Sequence, residues 1–161
     1  MEDVTIKQEP MDAEEMNGAN VSIRDLSYDA KLKFVNAIAK PMADKKMSKK
    51  LLKLLKKAKS HSSKDSVRHS LKDVQRRLLR KEKGIVVLAG NVSPIDLYTH
   101  FPILCEENNV PYCFVPTRDD LGQAMGFSHM GPVCVLIKPE ADYQELYDEC
   151  WEKLKLLPTP V

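Results

Sequence analysis

The spacing of apolar residues divides this chain. Residues 84–90, Gly-Ile-Val-Val-Leu-Ala-Gly, hold an apolar run between two glycines with no polar position inside it. A strand with one wet face alternates, so an unbroken run predicts a strand covered by helices on both faces. Residues 112–115 (Tyr-Cys-Phe-Val) and 133–137 (Val-Cys-Val-Leu-Ile) repeat the pattern. Helical signals lie between these strands. Ser93-Pro94 predicts an N-capped helix with proline in its first turn, running over 94–108 and kinked or interrupted at Pro102. Thr117-Arg118-Asp119-Asp120 caps a short helix ending at Gly126, and 127–132 reads as a loop. From Asp142 a last helix turns Tyr143, Leu146, Tyr147, Cys150 and Leu154 inward. The order of strands and helices predicts an α/β fold, a three-layer α/β/α sandwich with a central mixed sheet.

Before residue 84 the rhythm is helical. Leu26, Leu32, Phe34, Val35 and Ile38 make 25–38 loosely helical up to Asn36, and Pro41 stops it. Ser48 is the expected cap of the next helix. There Leu51, Leu52, Leu54, Leu55 and Ala58 share one face, and lysines from Lys49 to Lys59 fill the other. Residues 60–66 are a serine-rich loop. Ser70-Leu71-Lys72-Asp73 predicts a capping-box-like start to a further helix with Leu71, Val74 and Leu78 inward. The free N–H groups of such a start receive phosphate well, and Arg68 and Lys72 flank it.

Charge sharpens this picture. Residues 40–83 carry seventeen Lys/Arg against four acids, or +13, while residues 84–161 carry −7 and residues 1–39 carry −4. A net charge of +2 therefore hides a concentrated basic segment, the footprint of a polyanion-binding surface. Residues 1–22, with six acids, one lysine and no aromatic residue, predict a disordered acidic tail ahead of a single domain over 23–161. Within the tail, Ile6-Lys7-Gln8-Glu9 fits the apolar-Lys-x-Glu pattern of lysine modification by the small ubiquitin-like modifier, with Lys7 as the acceptor. Cys105, Cys113, Cys134 and Cys150 show no paired spacing and read as small buried hydrophobes, and the four histidines lack zinc-ligand spacing. No apolar run reaches the roughly 20 residues of a membrane span, and the acidic start is unlike a signal peptide. An intracellular protein is expected.

Nothing catalytic is legible. No glycine-rich phosphate loop, nucleophile elbow or kinase signature occurs. His100 reads as a packing residue, and Asp119-Asp120 suits a capped first turn better than a metal. Two readings stay open beside polyanion binding through the basic segment: a small α/β enzyme whose basic stretch is a nuclear address, and a surface-binding protein using the Lys49 to Lys59 helix on anionic membranes.

Several stretches together carry a resemblance. Ala39-Lys40-Pro41-Met42-Ala43 and Ser48-Lys49-Lys50-Leu51-Leu52 precede the 84–90 run and Pro94-Ile95. His100-Phe101-Pro102-Ile103-Leu104-Cys105-Glu106, Asn109-Val110-Pro111-Tyr112, Pro116 and Leu121-Gly122-Gln123-Ala124-Met125-Gly126 follow. This resembles the kink-turn RNA-binding family of ribosomal and small nucleolar ribonucleoprotein proteins. Val74-Gln75-Arg76, Glu82-Lys83-Gly84, Lys138-Pro139 and Leu157-Pro158 are most similar to its H/ACA branch. The resemblance implies a non-catalytic, cofactor-free subunit of a nucleolar particle that guides pseudouridine formation in ribosomal RNA. Its implied partners are an H/ACA guide RNA, a small bridging subunit and a separate pseudouridine synthase subunit; a ribosomal or spliceosomal kink-turn-binding protein is the alternative. With the basic face, it directs RNA binding to Lys49, Lys50, Arg68, Ser70, Lys72, Asp73 and Arg76, and to Phe127, Ser128, His129 and Met130. Family members that read the kink-turn carry Gly-x-Asn-Glu-x-x-Lys where this chain has Ser70, Lys72, Asp73 and Arg76. Asparagine offers a base edge both a donor and an acceptor, whereas lysine offers donors and a charge, so phosphate binding is kept and base discrimination weakened. The acidic positions Asp96, Glu106, Glu107, Asp119 and Asp120 form the expected protein-partner side.

Overall fold

A computed structural model describes residues 22–61, 65–128 and 130–158. Its sheet contains β1 (Val67–Arg68), β2 (Ile85–Ala89), β3 (Tyr112–Val115) and β4 (Cys134–Ile137), in the order β1-β4-β2-β3. β2 is parallel to β3 and antiparallel to β4, and every residue of it is buried, as its unbroken apolar run requires. β1 is antiparallel to β4, so the sheet is mixed. The helices among the described residues are α1 (Tyr28–Lys31), α2 (Lys45–Ser60), α3 (Leu71–Leu79), α4 (Phe101–Glu107), α5 (Arg118–Met125) and α6 (Gln144–Lys155).

Alternation along β3 shows the layers. The Tyr112 hydroxyl donates to Glu106 of α4 at 2.7 Å, while the Cys113 thiol lies beside Cys150 of α6. Neighbouring strand residues point to opposite faces, so α4 and α6 cover opposite sides. α2 packs on α5 and α6, and α3 packs on α4 and β4. The result is the three-layer sandwich. Leu51, Leu54, Leu55, Phe101, Phe114 and Leu121 are among the fully buried side chains, each contributing up to about 3 kcal/mol by leaving water. All four cysteines are free and buried. Burial pushes their thiols up, Cys134 to about 12 and Cys150 to about 11.

Three expectations are corrected. The helix expected over 94–108 is interrupted as Pro102 announced, but earlier than that residue: Ile95–Leu97 is a 3₁₀ turn, and α4 begins only at Phe101, with Pro102 in its first turn. Tyr98 sits between them, fully buried against Phe114 at 5.8 Å, its hydroxyl accepting from Asn36 Nδ2 at 2.6 Å. Burying this ring interrupts the helix, and Pro102 then takes a position where its missing N–H has no intrahelical partner to lose. His100 consequently stands at the N-cap position of α4. Ser48 does not cap α2. Asp44 does, accepting from the Met47 N–H at 2.6 Å, because the apolar face starts one turn earlier, at Met47; Ser48 is buried inside the helix. Ser70 occupies the N-cap position of α3 in extended backbone, but its side chain makes no capping bond. Thr117 and Gly126 do bound α5: the threonine accepts from Asp120 N–H, and the glycine closes the helix at φ 75°.

Candidate nucleic-acid interface

Strand register gathers the candidate residues at one end of the sheet. β2 and β3 are parallel, so their carboxyl ends coincide, and Leu88 opposite Cys134 brings the start of β4 to the same end. Arg68, opposite Leu136, closes β1 beside it, so His69, Ser70 and the first turn of α3 emerge next to the 127–132 loop. The His69 and Phe127 rings meet edge-on at 5.3 Å and hold the two segments together. Met42 bridges Phe114 in the parallel sense, so the chain runs toward this end as it enters α2 at Asp44.

α3 sets the electrostatics. Its Val74 and Leu78 are buried, which turns Lys72, Gln75, Arg76 and Arg80 outward along one exposed stripe. Asp73 is held between two cations, Arg76 at 3.6 Å and Arg68 at 4.0 Å. Arg68 also pairs with Asp65. Lys72 and the outward side of Arg76 therefore remain for a ligand anion, while the Asp73 carboxylate is committed to its neighbours. Of the two candidate lysines on α2, Lys49 is exposed, whereas Lys50 pairs with Glu149 of α6. Hydrogen bonds with Lys50 and then Lys153 hold the Glu149 carboxyl below the usual carboxylate range.

The loop is seated by groups the sequence reading did not single out. Arg118 Nε donates to the Gly131 carbonyl at 3.0 Å, the Arg118 N–H donates to Asn91 Oδ1 at 2.9 Å, and Arg24 donates to the Ser128 carbonyl at 3.3 Å. Gly131 lies so close to α5 that a Cβ there would meet the Arg118 carbonyl at 1.9 Å. Phe127 is half-buried, Ser128 is exposed, and Met130 projects with 69% of its surface free. His129 and Lys7 lie outside the described residues, as does the acidic tail up to residue 21. The signal for His69 was its position, an aromatic ring between two residues already chosen. Arg24 and Arg118 gave none, because their partners are 104 and 13 residues away.

The acidic positions are partly used internally. Asp120 accepts from Lys31 at 2.7 Å, Asp119 pairs with Arg24 at 3.6 Å, and Glu106 accepts from Tyr112. A Ser-His-Asp set does occur: Ser66 Oγ lies 3.1 Å from His61 Nδ1, and His61 Nε2 lies 2.8 Å from Asp142. Ser66 is wholly buried, so its hydroxyl is closed to substrate, and the set ties the end of α2 to the turn before α6. Among the described residues no group of three His, Cys, Asp or Glu side chains is arranged to hold a metal, and no helix is long and apolar enough to cross a membrane.

Known proteins share this architecture. Residues 49–147 match the family described as the ribosomal protein L7Ae/L30e/S12e/Gadd45 family. The H/ACA ribonucleoprotein complex subunit 2 of Drosophila melanogaster is 47% identical over 156 residues, covering 96% of each chain. The protein of that name from Bos taurus is 40% identical over 144 residues, covering 89% of this chain and 91% of its own. The Giardia lamblia 15.5kD RNA binding protein superposes with a TM-score of 0.70 at 24% identity, over 77% of this chain and all of that one, and shares the fold. The chain belongs to the ribosomal protein L7Ae/L30e/S12e/Gadd45 family.

Proposed function

We propose that this chain is a non-catalytic RNA-binding subunit of an H/ACA-type ribonucleoprotein particle, which guides pseudouridine formation in ribosomal RNA in the nucleolus. The observation that carries the reading is the 47% identity, over nearly the whole of both chains, to a protein of that name. The chemistry of the sheet end supports it. Lys72 and Arg76 on α3, with Arg68 behind them and Lys49 on α2, supply charge for phosphates; the first turn of α3 adds backbone donors. The 127–132 loop adds Phe127 and exposed Met130 for contact with bases or sugars. With lysine at 72 and the Asp73 carboxylate held by two arginines, this site positions RNA more than it reads it. Selection of the guide RNA then rests on the assembled particle, through a small bridging subunit and the pseudouridine synthase subunit. Affinity purification of the tagged chain, with identification of bound RNA and protein, tests this. H/ACA guide RNAs with a pseudouridine synthase are the expected yield; ribosomal or spliceosomal kink-turn RNA without the synthase would replace the reading with its alternative.

A further inference from the structure

At the other end of the sheet, where β2 and β3 begin, a cleft of about 760 Å³ opens among three segments: the α3–β2 turn, the α4–β3 turn and the end of α6. Its lining includes apolar Pro41, Val110, Leu154 and Leu157, together with Trp151. Lys81, Lys83 and Lys155 also line it, and no described carboxylate pairs with any of the three. The two carboxylates in the cleft are already engaged, Glu82 by Arg77 at 2.8 Å and Lys138 at 3.1 Å, Glu106 by the Tyr112 hydroxyl. An apolar floor thus sits under three lysines, and Glu106 is the one cleft carboxylate without a cation partner among the described residues.

Two backbone features point the same way. Lys81 at φ 58° and Asn109 at φ 55° are the non-glycine residues with positive φ among those described, and both border this cleft. They end α3 and α4 in the left-handed conformation that glycine adopts with least strain, and here a cation occupies the first of the two positions. β3 is an edge strand, and its alternation is visible: Pro111 accepts from Val86 of β2 and Val115 from Gly90 just past it, while Phe114 exchanges bonds with Pro41 and Ala43 on the outer side. Tyr112 shares the parity of Phe114, so its backbone N–H and C=O point away from β2, and the residue, 5% exposed, lines the cleft. Extended chain laid there would continue the edge pairing that residues 41–43 begin.

We infer that this cleft docks an extended, acidic peptide segment of a protein partner, with apolar side chains on the floor and carboxylates toward Lys81, Lys83 and Lys155. Trp151 favours a peptide over RNA: Tyr147 stacks on it at 5.9 Å and Lys155 stands 5.1 Å from its centre, which leaves little open face for a base. This inference does not depend on the RNA-binding reading, which concerns the opposite end.

Trp151 is the one tryptophan of the chain, so its fluorescence reports occupancy. The probes are end-blocked peptides in which glutamate alternates with leucine, phenylalanine or proline, with glutamine-substituted counterparts as controls. At least one glutamate peptide should shift the Trp151 emission saturably. Its affinity should fall with salt, and by about tenfold or more against its glutamine counterpart and in Lys81→Glu/Lys83→Glu. Circular dichroism and retained RNA binding show that the variant is folded. The inference is overturned if no glutamate peptide moves the emission, if glutamine peptides bind equally, or if a single-stranded RNA oligonucleotide displaces the peptide from the wild-type protein.

Discussion

Lys72 and Arg76 stand on the exposed side of α3 with different neighbours, since only Arg76 shares Asp73. Both have the chemistry of phosphate contact, so Lys72→Ala and Arg76→Ala should weaken intact and mutated kink-turn RNA by similar factors, each lowering the salt slope by about one. A competition assay in which Lys72→Ala erases a strong preference for the intact motif would make Lys72 a base reader and overturn this assignment. Lys31 and Asp120 form a pair whose side chains are 11% and 12% exposed, joining α1 to the first turn of α5. Lys31→Met keeps the packing stem but leaves Asp120 with Thr117 as its remaining partner, and should cost about 2–3 kcal/mol in urea unfolding, largely recovered by adding Asp120→Asn. Glu82 gives a pH prediction. Burial raises its carboxyl, but hydrogen bonds and charge from Arg77 and Lys138 outweigh that and hold it below the ordinary carboxylate range. A depressed acid contributes stability that is present above its unfolded pKa and lost as pH falls through the folded one. Melting temperature should therefore drop between about pH 5 and pH 3, and less steeply in Glu82→Gln. Equal acid limbs in the two proteins would show that Glu82 does not carry the effect.

At the scale of elements, capping separates what residue types announce from what geometry uses. Asp44→Ala should cost about 1 kcal/mol, because its side chain closes the start of α2, and Ser70→Ala only a few tenths, because Ser70 makes no capping bond. Comparable losses in chemical denaturation would contradict the capping assignment. Gly131→Ala should be the costlier change, since the new Cβ would fall 1.9 Å from the Arg118 carbonyl; it should unseat the 127–132 loop and weaken RNA binding along with stability. These cases show why part of the fold was legible. Buried strands β2, β3 and β4 announce themselves by unbroken apolar runs, and α5 by Thr117 and Gly126, because burial and local caps are written in adjacent residues. β1 was not foreseen: two half-buried residues, Val67 and Arg68, carry no pattern and become a strand only by pairing with β4. Pro102 announced an interruption before α4, but its place several residues earlier was not legible, since Tyr98 leaves the helix for partners on β3 and at Asn36. The candidate interface divides likewise. The α3 residues stand out in sequence, whereas their meeting with the loop depends on strand register and on His69 against Phe127.

For the whole molecule, the two ends of the sheet have separate electrostatics that the net charge of +2 conceals. The end holding the first turn of α3 gathers Lys72, Arg76 and Arg68, with Lys49 on α2. The acidic groups of the later helices are partly neutralised within the fold, by Lys31, Arg24, Lys50 and Lys153. RNA affinity should therefore follow the charge of one end. If about four phosphates are neutralised, the slope of log affinity against log salt should be roughly −3 for single strands and −4 for duplex. Lys72→Glu/Arg76→Glu should flatten that slope and weaken binding by well over about tenfold, since each reversal removes one contact and adds a repulsion. Lys81→Glu/Lys83→Glu makes the same formal change at the opposite end and serves as the control: RNA affinity should move by less than about threefold, through the long-range field alone, and that residual should vanish as salt shortens the Debye length. If both double variants lose RNA equally, binding follows total charge and the single-end assignment fails. If the wild-type slope is near zero, the electrostatic account itself fails, and contact through Phe127 and Met130 would have to carry the affinity.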